Sequence, residues 1–248
     1  MQIVILTALG VGGATVIGAT IGFLFKNLSH KFNDIVLSFA AGIMLAAAFI
    51  GLVLPSLEYG GKYGIITTVL GIFVGAVCMK LIDKLVPHLH KMAESDIEPH
   101  ARNKSLDKVL LFVLAIAIHN LPEGMAAGVA YGGADIESSL GVIFGIALHN
   151  LPEGVIAITP LIASGVGKGR AMLLAASGAI AEVAGTLIGY MAVSISEAVL
   201  PFLLSFAGGT MLTVIAGEMI PEAKGGRRAT MVLILGFSLM VLLSSLLG

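Results

Sequence analysis

Charge is scarce in this chain. Asp, Glu, Lys and Arg make up 12% of its 248 residues, about half the fraction of an ordinary soluble domain. Hydrophobic residues make up 57%, and the mean hydropathy is +1.03. The polar surface needed to coat a water-soluble core is therefore missing. Neither sign of charge is in excess: the formal net charge is −1, which leaves no basic footprint for nucleic acid. Cysteine is nearly absent. The single Cys78 excludes an intrachain disulfide framework and says little about compartment. The N-terminus lacks a basic n-region, so it is expected to be a first membrane span rather than a cleaved signal.

What the chain does have is long hydrophobic runs. Runs of bilayer-crossing length, about 17–25 residues, fall near 3–25, 35–56, 62–82, 109–131, 139–163, 170–192, 198–219 and 229–247. The 32 glycines suit close packing of membrane helices and leave room for a homodimer. The expected fold is an all-α polytopic membrane protein with eight transmembrane helices.

The basic residues give a direction. Lys26 and Lys31 fall in or beside the first loop; Lys80, Lys84, Lys91, Arg102, Lys104 and Lys108 in or beside the third. Lys168 and Arg170 mark the fifth, and Lys224, Arg227 and Arg228 the seventh. Only Lys62 lies on the other side. By the positive-inside rule the odd-numbered loops are cytoplasmic and both termini are outside, in a bacterial inner membrane or its topological equivalent.

The chain also repeats itself. Ser38–Leu45 (SFAAGIML) resembles Ser205–Leu212 (SFAGGTML), and Ala14–Phe23 resembles Ala181–Tyr190, both at an offset of 167. A third pair matches only at the Leu70-Gly71 and Leu235-Gly236 steps. Partners in each pair cross in opposite directions, which predicts an inverted repeat arranged 3 + 2 + 3. Secondary transporters use such pseudo-symmetry to build a substrate site near the midplane. The division is one transporter domain, 1–248: repeat one at 1–82, a cytoplasmic loop at 83–108, two central helices at 109–163, and repeat two at 170–248.

The central helices carry the chemistry. IAIHNLPEG (Ile116–Gly124) recurs thirty positions later as IALHNLPEG (Ile146–Gly154). In each copy the His and the Glu are four apart, His119 with Glu123 and His149 with Glu153, which puts both on one helix face. Asn120 and Asn150 flank that face. Pro122 and Pro152 are expected to bend their helices and free the carbonyls of Ile118 and Leu148. Glu182, near the middle of the sixth span, adds a third acid. Three glutamates at that depth cost on the order of 7–10 kcal/mol if uncompensated. No Lys or Arg lies at that depth, so protons or metal ions are the remaining compensation. Imidazole and carboxylate together suit Zn²⁺, and also Fe²⁺, Mn²⁺, Co²⁺, Ni²⁺ or Cd²⁺. The alternative, that the polar groups only hold helices together, does not explain two copies plus Glu182.

Twin HNLPEG motifs on consecutive spans, eight helices and a His-bearing loop between spans 3 and 4 resemble the ZIP family of divalent metal transporters, in its smaller prokaryotic form. The resemblance implies metal uptake into the cytoplasm by alternating access through a binuclear site, Zn²⁺ first among the ions, with no organic cofactor. It assigns His119, Glu123, His149 and Glu153, with Met44 beside them, to one metal position. Asn120, Glu123, Asn150, Glu153 and Glu182 form the other, and the two motif glutamates bridge. Glu58 matches the family's acidic entrance. Glu218 and Glu222 match its exit, although Gly217 stands where relatives often carry His. His88, His90 and His100 fit a metal-binding loop. A membrane metalloenzyme would need an open metal position and a general base, and the chain lacks an HExxH motif. A metal channel is the other alternative.

Overall fold

The computed structural model describes residues 2–24, 30–94, 120–132, 136–163, 166–195, 197–223 and 226–247, all helical or in short connections. Helix α1 is Gln2–Gly22. Helix α2 begins at His30–Ala48 and continues through a π-helical turn, Phe49–Val53, into Leu54–Tyr59. Helix α3 is Gly64–Glu94, and α4 occupies residues 120–132. Helix α5 is Ile136–Ala163 and α6 is Lys168–Ile195. Helix α7 is Leu200–Val214, followed by a second π-helical turn, Ile215–Met219, and Ile220–Glu222. Helix α8 is Gly226–Leu247. Among the described residues, seven helices are long and apolar enough to cross a membrane. The hydrophobic runs of the sequence locate these seven to within a few residues.

The outward faces explain why these helices need lipid. Large apolar side chains such as Ile65, Phe73 and Leu173 are exposed. In water such a surface would be an aggregation patch; in a bilayer it faces chemically similar chains. Backbone polarity is satisfied within each helix, as a spanning segment requires.

Small residues set the packing. A Cβ on Gly18 of α1 would strike the backbone of Leu151 in α5, and one on Gly154 of α5 would strike Thr15 in α1. A Cβ on Gly185 of α6 would strike Leu121 in α4, and one on Gly124 of α4 would strike Glu182 in α6. The same close approach joins α2 to α8 (Gly42 to Leu233, Gly236 to Phe39) and α3 to α7 (Gly209 to Ile72, Gly75 to Phe206). Backbones approach this closely only where no side chain intervenes. A core of small and flexible residues lies between these pairs, with Ala40, Ala41 and Met44 of α2 against Ala126 and Ala127 of α4 and Ile146 of α5. This packing sets α2 beside the two motif helices.

The helical irregularities are not where the motif prolines suggest. Helix α5 runs α-helical through Pro152. The wide turns sit in α2 and α7, where Leu54 N–H bonds to Phe49 O and Ile220 N–H bonds to Ile215 O. Each lies directly before a proline, Pro55 or Pro221. The proline ring crowds the carbonyl four residues back, and a π turn makes room for it. Gly51 and Gly217 supply those two carbonyls.

Candidate metal centre

Helices α4 and α5 present the two motifs to each other. His149 and Glu153 are one turn apart on α5, and His149 Nε2 lies 3.4 Å from Glu153 Oε2. From α4, Glu123 reaches the same imidazole, with Oε1 3.8 Å from Nε2. One ligand atom from each of the three residues lies within 4.8 Å of the others. Neighbouring ligands of a tetrahedral zinc ion, with bonds near 2.0–2.2 Å, are about 3.4 Å apart. The cluster is therefore close to the spacing that a small divalent ion imposes. Glu123 and His149 are each 3% exposed, and Glu153 is half-buried. His119, the fourth expected ligand of this group, lies outside the described residues.

Glu182 is fully buried on α6 and held by two donors. Thr15 Oγ1 of α1 donates to its Oε2 at 2.9 Å, and Asn150 Nδ2 of α5 donates to its Oε1 at 2.5 Å. The second hydrogen of the Asn150 amide goes to the Val11 carbonyl at 3.0 Å. A carboxylate and a carbonyl both accept, which fixes the nitrogen of Asn150 toward them and turns its oxygen away. The sequence repeat matches Thr15 to Glu182, 167 residues apart, as the place where one half lacks the acid; that the two side chains touch is a result of packing that the sequence did not foretell.

The remaining polar atoms are the informative ones. Glu123 Oε2, Glu153 Oε2, Asn150 Oδ1 and both side-chain polar atoms of Asn120 are buried without a hydrogen-bond partner. Leaving a buried polar atom unpaired costs about 1–3 kcal/mol, more when charged. Four acceptor oxygens on two helices receive no hydrogen bond, an arrangement that a cation would satisfy and a proton alone would not.

The other expected residues fall into place less tightly. Met44 is buried in the apolar core between α2, α4 and α5. Glu58 is exposed near the end of α2, and Glu218 is half-buried within the π turn of α7. His88 and His90 lie on the far part of α3, and His100 lies outside the described residues.

A model of the ZIP zinc transporter family matches residues 93–244 of the chain. The zinc transporter GufA of Myxococcus xanthus is 36% identical over 246 residues, 96% of this chain and 96% of the relative. The zinc transporter ZIPB of Bordetella bronchiseptica is 35% identical over 95% of this chain and 78% of its own length. The zinc transporter ZupT of Chlorobaculum parvum is 36% identical over 86% of this chain and 84% of its own. The chain belongs to the ZIP family: it is a multi-pass membrane transporter of divalent metal ions, not an enzyme.

Proposed function

We propose that this ZIP-family transporter carries Zn²⁺ in preference to other divalent ions, and carries it into the cytoplasm, with Glu123, His149 and Glu153 as the primary metal ligands. The buried, donor-less oxygens of both motifs carry this reading. His119 completes the primary set. Asn120, Asn150 and Glu182 form a second metal position, bridged to the first by Glu123 and Glu153, and Met44 borders the first. The absence of thiolates from both positions suits a carrier, which must release what it binds.

Direction follows from charge and repeat. Thirteen of the fourteen basic residues fall on one side by sequence, so the odd loops are cytoplasmic and the termini outside. The inverted repeat is supported by the close approaches between helices. Gly18 meets Leu151 as Gly185 meets Leu121, and Gly154 meets Thr15 as Gly124 meets Glu182. Gly42 and Gly209 stand in the same relation to α8 and α3, and the two π turns precede equivalent prolines. In the third pair, the contacts of Gly236 with Phe39 and Ile43 match those of Gly75 with Phe206 and Thr210, which supports a correspondence of Gly236 with Gly75. A site framed by such a repeat can open to either side by moving one set of helices against the other.

The test is uptake by protein reconstituted in vesicles with a trapped zinc indicator. Saturable Zn²⁺ entry that disappears in Glu123→Ala is expected. If no divalent ion enters, or the variant transports normally, the reading is wrong.

A further inference from the structure

Helices α2 and α8 run parallel. Gly42 approaches Leu233, Gly236 approaches Phe39, and the beginnings of both helices meet at one end. At that end lies a pocket of about 540 Å³ lined by Lys31, Asp34 and Ile35 of α2 and by Gly226, Arg227, Arg228 and Ala229 of α8. Three cations face one carboxylate. Among the described residues, none of these charged groups has an ion-pair partner. The first turn of each helix lacks an acid. Each helix start also carries roughly half a positive charge from its backbone dipoles, and here two such ends coincide. Charge bias places this end at the cytoplasmic side.

The surroundings of the pocket separate a lipid from a free anion. Directly after Arg227 and Arg228, the outward face of α8 becomes apolar at helical spacing: Met231 is 67% exposed, and Ile234, Leu235 and Leu242 follow on the same face. Ile35 is also exposed on α2. A cationic cup therefore sits at the head of an apolar stripe, the profile of one amphiphile with an anionic head and acyl chains. The close approaches repeat between α3 and α7 at the opposite side, but there the sequence offers one cation, Lys62. The helix pairing does not by itself require the cluster.

We propose that this pocket binds the phosphate headgroup of an anionic phospholipid of the cytoplasmic leaflet, with Lys31, Arg227 and Arg228 holding the phosphate and the acyl chains lying along α8. Basic pockets between transmembrane helices on this side are suited to such headgroups, and a cation near the surface contributes about fivefold in affinity. The reading is independent of which metal is carried.

The experiment is lipid titration of the purified full-length protein by native mass spectrometry, with phosphatidylglycerol and phosphatidylcholine as probes. Phosphatidylglycerol should bind more tightly. Its advantage should fall about fivefold for each neutralised cation through the series Lys31→Gln, Arg227→Gln and Arg228→Gln. An Arg227→Lys/Arg228→Lys variant should keep it. Unchanged Zn²⁺ binding in each variant reports an intact fold, and the single substitutions serve if the triple does not fold. Equal binding of the two lipids, or a preference unaffected by the neutralised variants, overturns the proposal. Displacement of phosphatidylglycerol by millimolar inorganic phosphate overturns the lipid assignment in favour of a free-anion site.

Discussion

Glu182→Gln separates the two proposed metal positions. The side chain is buried, and its oxygens accept from Thr15 at 2.9 Å and Asn150 at 2.5 Å. In the variant, the amide oxygen keeps the Asn150 donor. The new NH₂ group faces Thr15 Oγ1, which can rotate to accept. Hydrogen bonds to a charged acceptor contribute about 1.5–3 kcal/mol and neutral ones about 0.5–1.5, so two bonds weaken by about 2 kcal/mol together. Removing an ionised carboxylate from the bilayer centre returns about 2.5–3.5 kcal/mol. These terms nearly cancel, and the melting temperature should move by no more than about 5 °C. Metal binding should not be spared in the same way. Glu123, His149 and Glu153 remain as they were, so one ion is retained, while the position that needs Glu182 is lost. Metal content of the detergent-purified protein, measured by inductively coupled plasma mass spectrometry, should fall from two ions to one per chain. Two ions retained would refute the assignment of Glu182. Loss of both ions with an intact fold would refute the separation into two positions.

Other expected outcomes follow from the same geometry. Saturating Zn²⁺ should stabilise the wild type by about 2.7 kcal/mol at a hundredfold excess over Kd, and much less in His149→Ala; thermal scans with and without chelator measure this, and equal shifts would contradict a ligand role for His149. Thr15→Val leaves Glu182 Oε2 without its donor, at a cost of about 1–3 kcal/mol; Thr15→Ser should restore most of it, and unfolding midpoints report both. Gly18→Val forces a side chain into the Leu151 backbone and should destabilise by about 1–3 kcal/mol or more. Gly10→Ala on the same helix meets nothing within 4 Å and should be neutral or stabilising by up to about 1 kcal/mol.

Much of the architecture was legible because the bilayer is a demanding solvent. A segment that spans it must be apolar for about twenty residues, so the hydrophobic runs located seven described helices to within a few residues. The costly residues were equally visible. A His or Glu has no ordinary reason to sit in such a run, which drew attention to Glu123, His149, Glu153 and Glu182 before any packing was known. Spacing of four placed His149 and Glu153 on one face, and the structure keeps them 3.4 Å apart.

Tertiary structure decided what local pattern cannot encode. Nothing in the periodicity of α4 says that Glu123 meets His149 from a different helix; that depends on how α4 is seated on α6 through Gly124 and α5 on α1 through Gly154. The partnership of Thr15 with Glu182 also belongs to packing, because a lone threonine on an apolar helix is unremarkable until a carboxylate lies 2.9 Å away. The π turns appear in α2 and α7, whereas α5 passes through Pro152 without one; the chain context of a proline, not the proline alone, determines how its crowded carbonyl is accommodated. The positive-inside rule predicts that Lys31, Arg227 and Arg228 share one side of the membrane. Only the parallel packing of α2 against α8, distant in sequence, gathered them around one pocket. Sequence by itself determined which residues could not be indifferent to the membrane. The fold determined which of them face one another, because distance between side chains is set by helix packing rather than by position along the chain.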